Sequence, residues 1–365
     1  MAAPRETIWT LEPHTEGKHL VLEGYLKAWL PIISRWNKRI LFIDGFSGPG
    51  TYKHGENGSP LIALNTFKEH SNLKHSDFEI IFYFIEKDEG RLNHLSKLIN
   101  NMKTDLPGQF NIHIEHGEFN ESMTDALNEV DKQNKQLAPC FAMIDPFGVS
   151  DTPMSIIERI LRNNKSEVYI SLMYEWINRF KEHENFENHL DELFGCPNWR
   201  NGIDITDSMK RKDFLFNLYK SQLKKAGAKY VVHFELYEGN RLVYAIFFGT
   251  KHLTGCDRMK QAIWKVALFG DFSFHGTHSN QVELCLEFNN FTPLIKALQD
   301  SFKEKGWVEI KTVLDFVMSD ETDFHSGQVK TKALRAMEED SLIEIKDGTR
   351  KRAKQFPDGT VLRFI

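Results

Sequence analysis

Residues 40–50, Ile40-Leu41-Phe42-Ile43-Asp44-Gly45-Phe46-Ser47-Gly48-Pro49-Gly50, decide how the rest of the chain is read. Four apolar residues in a row, two of them β-branched, fit a strand buried on both faces at the centre of a parallel sheet. An acid closes the run, and three glycines follow within six residues. A glycine turn lets backbone approach a ligand, and a strand-end carboxylate can accept from hydroxyls or an amine, so the stretch suits a nucleoside cofactor. The spacing departs from the dinucleotide fingerprint, which places three glycines over six positions leading straight into a helix. Here the helix signal waits until Ser59-Pro60, an N-cap followed by a proline. Alone, the stretch is equally a glycine-rich turn between a core strand and a helix.

The flanking sequence favours the ligand reading. Residues 78–85, 111–115, 140–144 and 167–173 are further apolar runs, separated by helical patterns near 89–102, 121–134 and 154–163. Strands alternating with helices predict an α/β fold, a Rossmann-like parallel sheet with helices on both faces. Four of the five strands close on an acid: Asp44, Glu86, Glu118 and Asp145. Ligands of such sheets sit beyond the carboxyl ends of the strands, so these acids are expected along one edge of one site. Residues 229–237 and 241–250 are β-rich, with the hairpin signal Glu238-Gly239-Asn240 between them. A hairpin after five parallel strands is the usual finish of a class I methyltransferase sheet. Upstream, Leu22, Tyr25, Leu26, Trp29, Ile33 and Trp36 recur at helical spacing over 17–37, and Pro31 is expected to kink or divide that helix. Lys18 and His19 at its start read, from spacing alone, as a solvated terminus.

The remaining features bound the answer. A length of 365 residues, above the size at which single cores stop growing, predicts a large domain plus a small one. The expected division is a helical segment over 1–38, a methyltransferase-like domain over 39–285 with a polar helical insertion near 175–210, and a C-terminal domain over 290–365. No apolar run is long enough to span a bilayer, and the first ten residues lack the apolar centre of a signal peptide. Cys140, Cys196, Cys256 and Cys285 form no C-x-x-C pair, which argues for a reducing compartment without disulfide or metal use. With a net charge of −5, any nucleic-acid contact must come from a local basic patch. After residue 291, three short helical patterns and two β runs read as a winged helix. Its loop carries Arg350, Lys351, Arg352 and Lys354 where a wing would touch phosphates. Such loops are also often only solvated, and winged helices also dock proteins.

Several stretches together resemble the three-Cys-motif partner protein family, nearly end to end. They are His14-Thr15 with Gly17-Lys18-His19 and Tyr25-Leu26 with Trp29; Ile43 to Phe46 with Gly48-Pro49-Gly50; Gly58-Ser59-Pro60-Leu61; Ile85-Glu86-Lys87-Asp88; Ile144-Asp145-Pro146-Phe147-Gly148; Gly255 with Met259-Lys260, Ile263 and Trp264; and Phe356-Pro357-Asp358-Gly359-Thr360. Ser47 stands where alanine is commoner. The cysteine motif of the family's name belongs to a neighbouring protein, a possible partner. The resemblance implies a cytoplasmic prokaryotic protein that looks like an S-adenosylmethionine-dependent methyltransferase. On that basis Phe46, Gly48 and Gly50 approach the methionine part of S-adenosylmethionine, with Asp44 beside them. Glu86 takes the ribose hydroxyls, and Glu118 the adenine amine, with Phe119 beside the ring. Lys18 and His19 contact cofactor or substrate at the cleft mouth. Asp145-Pro146-Phe147 is also similar to motifs of enzymes that methylate exocyclic amines of bases, which implies RNA or DNA as substrate. There a carboxylate and a backbone carbonyl orient the amine and an aromatic ring stacks on the flipped base. The competing expectation is a non-catalytic module that binds cofactor and recruits nucleic acid or a protein. A nuclease is disfavoured because the acids form no compact metal-ligand set.

Overall fold

The computed structural model describes residues 6–70, 78–181, 186–267, 273–274 and 291–365; Cys285 lies outside them. The strand β1 (Arg39–Asp44) is buried from Ile40 onward and pairs in parallel with β2 (Glu79–Glu86) on one side and β4 (Cys140–Ile144) on the other. Beyond them lie β3 (Phe110–His116) and β5 (Ser166–Leu172), both parallel. The hairpin of β6 (Tyr230–Glu238) and β7 (Arg241–Thr250) inserts β7 antiparallel against β5. A two-residue strand, β8 (Ser273–Phe274), completes the order β3-β2-β1-β4-β5-β7-β6-β8. This mostly parallel sheet finished by an antiparallel hairpin is consistent with a Rossmann-like methyltransferase fold.

Both faces are covered, which is why the central strands are continuous apolar runs. Side chains alternate: Ile40 and Phe42 join one core and Leu41 and Ile43 the other. The first core holds α1 (Pro13–Ser34), α2 (Ser59–Lys68), α3 (Glu89–Met102) and α9 (Leu253–Val266). The second holds α4 (Phe119–Lys132), α5 (Met154–Arg162), α6 (Tyr174–Phe180), α7 (Glu187–Phe194) and α8 (Ser208–Lys225). Of these, α6 and α7 occupy the stretch expected as an insertion. Helix α1 starts at Pro13, earlier than its apolar pattern, and Pro31 does not divide it, because that proline falls in the last turn. Lys18 and His19 therefore sit inside the helix and are buried rather than solvated.

Hydroxyls and a carboxylate fasten α1 to the sheet. Tyr169 and Tyr244 donate to the backbone oxygens of Lys18 (3.0 Å) and His14 (3.2 Å). Tyr25 donates to Glu167 Oε2 and Thr250 to Glu167 Oε1, each at 2.6 Å. Glu167 is 4% exposed.

The C-terminal residues build their own core from α10 (Thr292–Phe302), α11 (Ile310–Met318) and a three-part helix of α12 (Ser326–Gln328), a π turn (Val329–Ala333) and α13 (Leu334–Glu339). Against it lies a sheet of order β10-β11-β9, from β9 (Trp307–Glu309), β10 (Ile343–Ile345) and β11 (Val361–Phe364). Three-residue β9 shows no strand period in the sequence. Helix α9 holds this unit: the buried Lys260 ammonium donates to the carbonyls of Val317, Ser319 and Thr322, and Asp257 accepts from the Ser326 amide and hydroxyl.

Burial pushes the Glu167 carboxyl from 4.5 to about 7, against the pull of Thr250 and Tyr25. The folded chain therefore binds that proton more tightly than the unfolded one. Stability falls as pH rises from about 4.5 to about 7, by about 3 kcal/mol for this group. Glu167→Gln should remove that share of the dependence, read by urea unfolding at pH 4.5 and 7.5; an unchanged dependence would show that Glu167 ionises freely.

Candidate active site

The carboxyl ends of β1, β2 and β4 converge on one cleft. Asp44 is fully buried; its Oδ1 accepts from the Phe46 amide at 3.2 Å, and Oδ2 has no partner. Burial raises its carboxyl to about 7, outweighing Ser59 and the Phe46 amide. Past it the chain turns through Gly48 and Gly50 at φ of 61° and 85°, where a side chain is strained. A β-carbon on Gly50 would also lie 2.8 Å from Leu95. Glu86 ties this turn to the next strand: Oε2 accepts from the Gly48 amide and Oε1 from the Asp88 amide, both at 2.8 Å.

At the end of β4, Lys18 of α1 donates to Asp145 Oδ2 and Ser171 of β5 donates to Oδ1. Burial works to raise the Asp145 carboxyl, but Lys18 and Ser171 outweigh it and hold it below the usual carboxylate range. Burial first, and Lys18 second, lower His14 to about 4 and His19 to about 3, so both imidazoles are neutral at pH 7.

These groups surround a cavity of about 470 Å³. It gathers Lys18, His19, Phe46, Gly48, Gly50 and Asp145-Pro146-Phe147, residues expected at one site. Asp44 and Glu86 are buried and line neither this cavity nor the next. A second, more apolar cavity of about 430 Å³ lies beyond Phe147 and reaches Lys87, Asp151 and Trp176; Phe46, Pro146 and Phe147 line both. Glu118 is exposed ahead of α4 and lines neither cavity. Phe119 is buried under the turn, 5.5 Å from the Phe46 ring, where it fixes that turn instead of facing a ligand. Of the cations in the loop between β10 and β11, Arg350 pairs with Glu338 and Lys354 with Glu339, while Lys351 and Arg352 are exposed.

Sequence reasoning missed the aromatic side of the cleft. Trp9, ahead of the helical spacing over 17–37, meets Tyr52 and Phe147 edge-on at 5.7 and 5.9 Å. The Arg91 guanidinium lies over both the Trp9 and Phe147 rings. Tyr244 was hidden in a strand, and its partner His14 precedes the apolar pattern of α1.

No family model matches the chain, and no curated protein matches it significantly. Solved structures with similar features include EvdMO1 (10% identity, 64% of this chain and 42% of that one, TM-score 0.33). Others are the DszA carbon methyltransferase (10%, 66% and 56%, 0.36) and a methyltransferase from Geobacter sulfurreducens (11%, 66% and 79%, 0.30). The match thus spans less than half of EvdMO1. The fold assignment stands on this chain's own strand order.

Removing the lysine of a buried ion pair leaves an uncompensated carboxylate. Lys18→Met should cost about 3 kcal/mol of stability in urea, the lower end of the usual range because Asp145 is partly open to the cavity. Lys18→Met with Asp145→Asn should recover part of the loss. A Lys18→Met protein as stable as the wild type would mean that the pair does not form in solution.

Proposed function

We propose that this protein is an S-adenosylmethionine-dependent methyltransferase whose acceptor is an exocyclic amine of a nucleic-acid base. The observation that carries this reading is the cavity at the strand ends lined by a left-handed glycine turn and Asp145-Pro146-Phe147, with an unpartnered buried Asp44 oxygen at the end of the strand that leads into that turn. The cofactor supplies a methyl group on a positively charged sulfur.

The residues fit such a group. Asp44 Oδ2 lacks the donor that a buried carboxylate oxygen needs, and a primary ammonium would provide one. Glu86 keeps acceptor capacity beyond its two amide bonds, enough for ribose hydroxyls. The apolar second cavity, with Lys87 next to Glu86 on its wall, suits a flat heterocycle better than the exposed Glu118 does. Asp145 still has lone pairs to orient an amine, and Phe147 offers a ring face beside it. Most of the rate then comes from positioning, since the displacement needs no covalent enzyme intermediate.

The C-terminal unit supports a nucleic-acid acceptor as a winged helix. Lys351 and Arg352 are its exposed loop cations; the pairing of Arg350 and Lys354 within the unit favours protein docking as the second reading. Lys351→Ala with Arg352→Ala should reduce the log–log salt slope of RNA or DNA binding by about two. Binding without salt dependence, or none, points to docking.

Two further outcomes are expected. A cationic ligand needs Asp44 ionised, so S-adenosylmethionine should bind more tightly as pH rises from 6 to 8 and release a proton, seen by calorimetry in buffers of different ionisation enthalpy. Tritium from the labelled cofactor should enter RNA or DNA from a host lacking the protein, and Asp145→Ala should cut the rate about 10²–10⁴-fold. Cofactor binding without any labelling would leave a non-catalytic module.

A further inference from the structure

We infer that His14 is the catalytic base of this cleft, taking the proton that the acceptor amine gives up on methylation. This rests on the methyl-transfer reading above. His14 stands in the first turn of α1, 2% exposed, among the residues that line the cavity with Asp145. Its Nδ1 is buried without a hydrogen-bond partner, and its ring meets Tyr244 edge-on at 5.4 Å. One turn further along the same helix face is Lys18.

Most of the other candidates are committed. Both Asp145 oxygens are engaged, one by Lys18 and one by Ser171, so this carboxylate orients better than it takes up a proton. Burial raises the Tyr52 and Tyr244 hydroxyls, which stay protonated. Glu6 and Glu12 are exposed at the rim. His19 is also neutral and its Nδ1 is likewise buried without a partner, but it sits more than a turn further into α1, beside the inner pair Lys18 and Asp145. His14 feels that pair and also Glu238 and Arg241 at the tip of the β6–β7 hairpin. His14 thus stands nearer the hairpin than His19 does. Burial and Lys18 keep the ring in its free-base form at neutral pH. In the step, the acceptor nitrogen bonds to the methyl carbon and the carbon–sulfur pair stays on sulfur. The N–H pair returns to nitrogen, and the proton goes to the imidazole.

The test has a binding arm, a spectroscopic arm and a transfer arm. With ¹⁵N-labelled histidine, the His14 resonances, assigned through His14→Gln, should show neutral imidazole from pH 8 down to about 5; an imidazolium at pH 7 overturns the proposal. His14→Ala and His14→Gln should bind S-adenosylmethionine within about twofold of the wild type yet transfer tritium to the RNA or DNA pool about 10²–10⁴-fold more slowly. Added imidazole should restore part of the rate to His14→Ala in proportion to its free base. If His14→Ala misfolds, His14→Gln decides. Unchanged transfer by His14→Gln overturns the base role alone. Loss without imidazole rescue in a folded His14→Ala, or weakened cofactor binding, assigns His14 to packing and overturns it too. A wild-type protein that labels nothing overturns the methyl-transfer reading, and the base role with it.

Discussion

The structure depends on one buried ion pair, Lys18 with Asp145, which joins a helix from the start of the chain to the end of a central strand. A buried pair forms only where its geometry and extra hydrogen bonds offset the loss of hydration. Here Ser171 supplies the second bond to the carboxylate, and Tyr169 anchors the backbone of Lys18. The pair therefore fixes the roof of the cleft to its floor. It also sets the local electrostatics, because the Lys18 charge adds to burial in keeping His14 and His19 neutral.

At the other end of the sheet the same helix is tied down by Glu167, an ionisable group held far from water. The two attachments differ in kind. Lys18 and Asp145 compensate each other, whereas Glu167 receives hydroxyl donors and carries no partner charge among the described residues. The first lines the cavity, and the second makes the docking of α1 sensitive to pH. The rest of the cleft, with the Glu86 carboxylate bridging two turns, is held by backbone amides and is less exposed to both effects.

Much of this was legible in the sequence. Continuous apolar runs identify strands covered on both faces, and β1 to β7 lie where those runs fall. The strand-end acids Asp44, Glu86 and Asp145 lie at the same edge of the sheet because parallel strands share an end, though of the three Asp145 lines the cavity and the other two are buried. Glu118 does not, since β3 is the edge strand and the residue turns to solvent. The burial of Lys18 and His19 was not legible, because helical spacing says which residues share a face but not what that face covers. Trp9 and Tyr52 lie outside any periodic stretch, and Arg91 meets Trp9 only through the tertiary path of the N-terminal segment. The wing cations looked free in one dimension, while Glu338 and Glu339 reach two of them from the preceding helix.

The central claim is that the cleft at the ends of β1, β2 and β4 holds an adenosyl cofactor. A crystal structure with S-adenosylhomocysteine, which keeps the ammonium and the ribose, tests it most directly. The account predicts density running from an ammonium at Asp44 Oδ2, past ribose hydroxyls at Glu86, to a ring in the cavity beside Phe147 and Lys87. Density elsewhere, or a cleft that stays free of ligand at saturating concentration, would contradict it.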